Sequence, residues 1–280
     1  MTIHRILIVG TGFMGNALAN ALFNNGVAEK IYGVEPNPTF LADAKSNNCY
    51  EEIFLSIDDV AMVPDLAIVC APVELVASIS CQLLEKFPQT LVSDIASVKA
   101  PVVSAVQSAA ATGSARFIAG HPITGSDRTG PIQPPKSIFT DRSCVITPLE
   151  NNSEADLQAV ENLWTSLGSK VFRLSPADHD LLLGMTSHMP HAVASALSAA
   201  LEEKELEFCG TGIRDTIRIA KSNPLLWKEI FVQNREAVLK AIDRFQEVFD
   251  NLRQSIETDS LNELISILEK GQKNRDALGN

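Results

Sequence analysis

RILIVGTGFMGNALANALFNNG, residues 5–26, decides the fold. Ile6 to Val9 read as a buried strand, and Gly10, Gly12 and Gly15 then turn the chain into a helix carrying Leu18, Ala21 and Leu22 on one face. Strand, glycine turn and helix in that order form a dinucleotide-binding fingerprint. Gly10 permits the tight turn, Gly12 lets a pyrophosphate approach the backbone, and Gly15 lets helix and strand pack closely. The free N–H groups at the helix start, around Thr11, Phe13 and Met14, then face the phosphates. A second strand, KIYGVE, ends at Glu35, 20 residues past Gly15, where an acid binds a ribose diol. Glu35 would repel a 2′-phosphate and no arginine follows it in EPNPTF, so NAD is expected rather than NADP.

The alternation continues outward from this unit. DLAIVCAP, TLVSDIASVKAPVVSAV and RFIAGHP each end an apolar strand in small or polar residues. This is βαβ architecture with a mostly parallel sheet, and ligands bind beyond the carboxyl ends of its strands, where Ala71, Pro72, Ser97 and Lys99 fall. In RFIAGHP the strand is expected over Phe117–Ala119, with His121 delivered at its carboxyl end. SCVITP and KVFRLS extend the sheet to about Leu174, giving a nucleotide-binding domain over residues 1–174.

From Ser175 the chain turns helical, giving a second domain over 175–280. Ser175 is placed as an N-cap, with Pro176 at the first helical position and Asp178 at the third. Ser187 and His191, four apart, share a helical face, and Pro190 predicts a kink. His188 and His191 have no metal-ligand pattern around them, so no metal is expected. Asn223 and Pro224 open a further helix with Val238, Ile242, Phe245, Phe249 and Leu252 on one stripe, and Leu261, Leu264, Ile265 and Leu268 follow. That stripe reads either as plain core or as the seam of a homodimer, and the dimer is favoured.

With 34 acidic against 23 basic residues the net charge is −11, which disfavours nucleic acid. Five scattered cysteines form no C-x-x-C pair and fit a reducing compartment. MTIHRILIV leaves no room for a signal peptide, and no apolar run reaches a membrane span. A cytoplasmic protein without membrane contact is expected.

Four stretches taken together, the glycine fingerprint, DIASVK, GHPITGSDRTG, and HDLLLGMTSHMPHAVA with GTGIRDTIRIAKSNPLLW, resemble the prephenate and arogenate dehydrogenases of tyrosine biosynthesis over nearly the whole chain. The resemblance implies a Rossmann-type domain followed by an all-helical dimerisation domain. It also implies hydride transfer from the 4-hydroxyl carbon of a cyclohexadienol to NAD, with loss of the ring carboxylate as CO2. His121 matches the base that accepts the hydroxyl proton, and Ser97 the serine that steadies it beside the nicotinamide. Arg218 matches the substrate-binding arginine, whose fork suits a carboxylate. Ser187 and His191 match residues lining the active site, Ser126 and Asp127 its substrate-side loop, and Arg214, Asp215 and Trp227 further positions around the same cleft or its gating contacts.

The bland readings stand beside these. Arg214 with Asp215 reads also as a surface ion pair, Trp227 as core, and His188 and His179 as structural histidines. The loop departs from the family in carrying Ser126-Asp127 where Thr-Glu is more frequent, which bears on the choice between prephenate, the preferred substrate, and arogenate. Arg214 stands where some members have lysine. No mutase or regulatory domain is read in the chain, so any inhibition by tyrosine would act at the active site. Two rivals remain: a β-hydroxyacid dehydrogenase, which needs a lysine base on the helical domain, and an NAD-binding sensor without turnover, in which His121 would be dispensable.

Overall fold

The computed structural model describes residues 3–124 and 138–279. The expected substrate-side residues Ser126 and Asp127, and the neighbouring Arg128, lie outside the described residues. Among the described residues eight strands form one sheet, β1 (Ile3–Val9), β2 (Ala28–Val34), β3 (Glu52–Phe54), β4 (Leu66–Val69), β5 (Leu91–Asp94), β6 (Phe117–Pro122), β7 (Ser143–Thr147) and β8 (Lys170–Arg173), in the order β3-β2-β1-β4-β5-β6-β7-β8. The order reverses between β1 and β4, which opens a crevice at their carboxyl ends. Helices α1 (Phe13–Asn24), α2 (Pro38–Lys45), α3 (Val73–Lys86), α4 (Ala100–Ala110) and α5 (Glu154–Ser166) connect the strands. Along β1, Ile6 and Ile8 enter the core on one face and Leu7 and Val9 the core on the other. A strand covered on both faces has no polar side, so it reads as an unbroken apolar run.

Two details differ from the expectation. The short β3 beside β2, with only Ile53 and Phe54 as apolar residues in its three, is too brief for the sequence to announce as a strand. β6 continues through His121 to Pro122, because β7 pairs with it antiparallel and sets His121 opposite Val145. His121 is therefore fixed within a strand, not hung on a loop.

The second half is helical: α6 (Pro176–Leu183), α7 (Met189–Ala199), α8 (Thr211–Thr216), α9 (Pro224–Gln233), α10 (Arg235–Glu257) and α11 (Leu261–Ala277). Ser175 caps α6 by accepting from the Asp178 N–H at 3.0 Å. Where Pro190 predicts a kink, the chain makes a π turn over Gly184–His188, with the Met189 N–H donating to the Gly184 carbonyl. Pro190 has no N–H to give, and widening the turn is one way a helix absorbs that loss. α10 crosses there so closely that a Cβ on Gly184 would stand 3.0 Å from the Ala237 Cβ.

Asn223 caps α9 through the Leu225 N–H, as its position predicts. The helix breaks at Asn234 instead of running on into α10. Of the expected stripe, Val238 is buried, Ile242, Phe245 and Leu252 are half-covered, and Phe249 is exposed. Ile256, Leu261, Ile265 and Leu268 are exposed as well. Among the described residues no helix is long and apolar enough to cross a membrane.

Candidate active site

The glycine turn is built as its sterics require. Gly10 has φ +95°, and a Cβ there would stand 2.6 Å from the Cys70 carbonyl oxygen. A Cβ on Gly15 would be 1.9 Å from the Gly10 oxygen, so helix and turn touch backbone to backbone. Gly12 meets nothing within 4 Å, which leaves open space over the start of α1 where a pyrophosphate fits. Glu35, just past β2, accepts from the Thr11 N–H at 2.9 Å and the Thr11 hydroxyl at 3.2 Å, and through its other oxygen from the Asn37 N–H at 2.9 Å. Thr11 is wholly buried and gives both its donors to Glu35, so it holds that acid in place. Oε1, with the single donor Asn37, keeps a further lone pair for a diol. Ala71 and Pro72 follow β4 at the same edge of the sheet, with Pro72 preceding α3.

Beside the turn lies a cavity of about 520 Å³ between the two halves. Phe13, Met14, Ser97 and His121 line it from the sheet side, and Ser187, His191, Arg218 and Trp227 from the helices. Residues scattered over more than 200 positions are thus brought to one cleft. Trp227 takes the cleft position that the resemblance implies, not a core one: it is half-buried and lies flat on His191, with ring centroids 3.4 Å apart. Arg142, which no motif singled out, joins the lining from the start of β7. Arg214 and Asp215 do not belong to the lining; both are exposed on α8, and the Arg214 Nε–H donates to the Cys209 carbonyl.

Lys99 is a correction. Instead of facing the crevice it is fully buried, ion-paired with Asp94 and donating to the Gly120 carbonyl at 2.6 Å. Asp94 in turn accepts from the Gly120 N–H at 3.1 Å. The pair therefore grips both polar groups of the residue just before His121.

His121 is buried, and its Nδ1 lies 2.9 Å from Nε2 of His179, not against Ser97. His179 Nδ1 lies 2.7 Å from Asp180 Oδ1. Asp180 also accepts from the backbone N–H groups of Lys99 and Ala100, both at 2.8 Å, at the start of α4. His188 is held by Asn234, whose amide donates to His188 Nδ1 at 3.0 Å and is 2.8 Å from the Asp180 carbonyl. The break at Asn234 thus serves the site.

Burial drives the four histidines of the site, His121, His179, His188 and His191, towards the neutral form. His121 is held well below the ordinary histidine range, by burial first and then by the nearby Lys99 ammonium and the neighbouring imidazoles of His179 and His188, whose protonation would compete with its own. His179 is lowered less simply, because Asp180 opposes its burial. His188 and His191 are each brought down to about 4, the latter with Arg218 adding to its burial. An unfolded histidine titrates near 6.5, so below that pH the unfolded chain binds protons the native state refuses. Stability is complete above about pH 6.5 and falls as pH drops towards about 4. Thermal melts from about pH 7.5 down to about 5 should lose up to about 1.4 kcal/mol per pH unit for each such histidine. A flat melting temperature over that range would mean they are charged in the native state.

Two family descriptions match the chain: "Prephenate dehydrogenase, nucleotide-binding domain" over residues 18–173 and "Prephenate dehydrogenase, dimerization domain" over 175–270. The crystal structure of prephenate dehydrogenase from Aquifex aeolicus with hydroxyphenyl propionate and NAD+ is 31% identical, with a TM-score of 0.92 and 99% of each chain covered. Synechocystis arogenate dehydrogenase is 25% identical, with a TM-score of 0.82 over 98% of this chain and 99% of that one. Cyclohexadienyl dehydrogenase of Zymomonas mobilis is 27% identical over 99% of this chain and 97% of its own.

Proposed function

This chain belongs to the prephenate dehydrogenase family, and from that premise we propose that it oxidatively decarboxylates prephenate to 4-hydroxyphenylpyruvate with NAD, a step of tyrosine biosynthesis. One observation carries the reading: a neutral, buried histidine and an arginine face one cavity beside the glycine turn. NAD is supported by the open space over Gly12 and by the Glu35 carboxylate, which meets a ribose diol well and a 2′-phosphate badly. When bound, its nicotinamide supplies the hydride acceptor. Phe13 and Met14 flank the turn on the cavity side.

His121 accepts the proton of the substrate's 4-hydroxyl at Nε2, the nitrogen its partner leaves free. Arg218 holds a carboxylate by paired, charge-assisted hydrogen bonds. Ser97, Ser187 and His191 add to the polar lining, while Trp227 and Leu226 supply apolar contact that excludes water. Prephenate is preferred over arogenate because, among the described residues of the lining, Arg142 and Arg218 are the charged ones and no carboxylate answers an ammonium.

Initial rates of nicotinamide reduction with prephenate or arogenate, each with NAD or NADP, test the proposal. Turnover with prephenate and NAD supports it; a clear preference for arogenate reassigns the substrate, and silence in all four combinations overturns it. Arg218→Lys should raise KM about 10-fold to 100-fold with kcat within a few-fold, since a point charge cannot reproduce the paired fork. An unchanged KM would take Arg218 out of substrate binding.

We infer the division of labour as cofactor on residues 1–174 and self-association on 175–280. The exposed apolar run from Phe249 through Ile256, Leu261, Ile265 and Leu268 supports a homodimer through the helical domain. Sedimentation should give about twice the chain mass of 30.3 kDa; a monomer at micromolar concentration would rule the dimer out.

A further inference from the structure

We propose that His179 and Asp180, on the first helix of the second domain, are positioning residues that fix the tautomer of His121 and share the proton it takes up. The proposal rests on reading His121 as the base, and deepens that reading.

The tautomers follow from the donor inventory. A carboxylate only accepts. Asp180 Oδ1, which already takes the Lys99 N–H, therefore accepts from His179 Nδ1, and that nitrogen carries the hydrogen. Neutral His179 is left with a lone pair at Nε2, so the 2.9 Å contact to His121 Nδ1 requires the hydrogen to sit on His121 Nδ1. His121 Nε2 is then the lone pair presented to the cleft. That is the form able to accept a hydroxyl proton; with the hydrogen on Nε2 it could only donate.

The same chain handles the charge. As Nε2 takes the hydroxyl proton, Nδ1 can release its own to His179 Nε2, so the positive charge moves onto His179 beside the Asp180 carboxylate and one proton enters for one passed on. Such sharing matters here because the groups around His121 are otherwise unfavourable to a cation or already paired. Lys99 and Asp94 come from β5 and the segment after it, Cys144 from β7, His179 and Asp180 from α6, and His188 from the π turn. Among them Lys99 opposes an added charge, His188 is neutral and bonded to Asn234, and Asp94 is committed to Lys99.

Nitrogen-15 spectra of histidine-labelled protein near neutral pH, assigned with His121→Asn, read the tautomer without reference to activity. Wild type should show His121 with its hydrogen on Nδ1, and His179→Phe should lose that preference. A wild-type Nε2–H form, or a His179→Phe spectrum unchanged at His121, overturns the proposal. His179→Gln keeps an acceptor oxygen for Nδ1–H but cannot take the proton. It should retain the tautomer, leave KM within about twofold, lower kcat about 10-fold to 100-fold and displace the pH at which kcat falls. Loss confined to melting temperature, with kcat and its pH profile intact, would make His179 merely structural and also overturn the proposal. If no substrate combination turns over in wild type, the functional reading fails while the tautomer still decides this one.

Discussion

His121→Asn should lower kcat by about 10³-fold, within the range a general base contributes, and leave NAD binding almost untouched. Asparagine is smaller than histidine but keeps an amide that can donate to His179 Nε2, so the buried contact is not orphaned. The measurement is initial-rate nicotinamide reduction beside a melting curve and a cofactor titration. Turnover within about threefold of wild type would remove His121 from the chemistry, and with it the case against a non-catalytic NAD sensor. A fall in turnover that follows a fall in melting temperature would point to damage to the strand instead. The His121 position is sensitive to that distinction because the histidine is part of β6 and pairs with Val145.

Lys99→Met carries the second large effect, on stability. The ammonium is fully buried, bonded to Asp94 and to the Gly120 carbonyl, so its loss leaves a buried carboxylate and a carbonyl without their partner. Removing one member of a buried pair costs about 3–5 kcal/mol, a large share of the 5–15 kcal/mol that typically holds a domain together. The urea midpoint should fall accordingly, and Asp94→Asn added to Lys99→Met should recover part of the loss, since it removes the stranded charge. A change below about 1 kcal/mol in the single variant would show that water reaches the pair. Turnover should suffer too, because Gly120 is gripped at both its N–H and its carbonyl immediately before His121.

What the sequence disclosed depends on how local the governing physics is. The glycine turn is legible because Gly10 and Gly15 answer steric demands set within a few residues of themselves. The caps at Ser175 and Asn223 are legible for the same reason. His121 stands out by its motif, yet its partner His179 lies 58 positions away, and no spacing rule joins a strand to a helix of another domain. His179 therefore reads as structural until the fold is known. Lys99 misleads because residues after a strand usually face the ligand crevice, whereas this one turns back under β6 to Asp94. Asn234 gives no sign of breaking a helix, since its role is tertiary: it reaches Asp180 and His188. Arg142 is an exposed arginine in an unremarked strand start and comes into the cleft only by the placement of β7.

Asp180 belongs to the helical half, yet its two carboxylate oxygens cap α4 of the other half. On the proposal that His179 and Asp180 set the tautomer of His121, interdomain docking and the arming of His121 are one equilibrium. The nucleotide-binding half, made first, would then have α4 uncapped and its histidine unsupported until α6 docks. A chain that has not finished folding therefore presents a cofactor cradle without a competent base. Any later hinge motion that opens the cleft must turn about this joint, or else switch the chemistry off for as long as the halves stand apart.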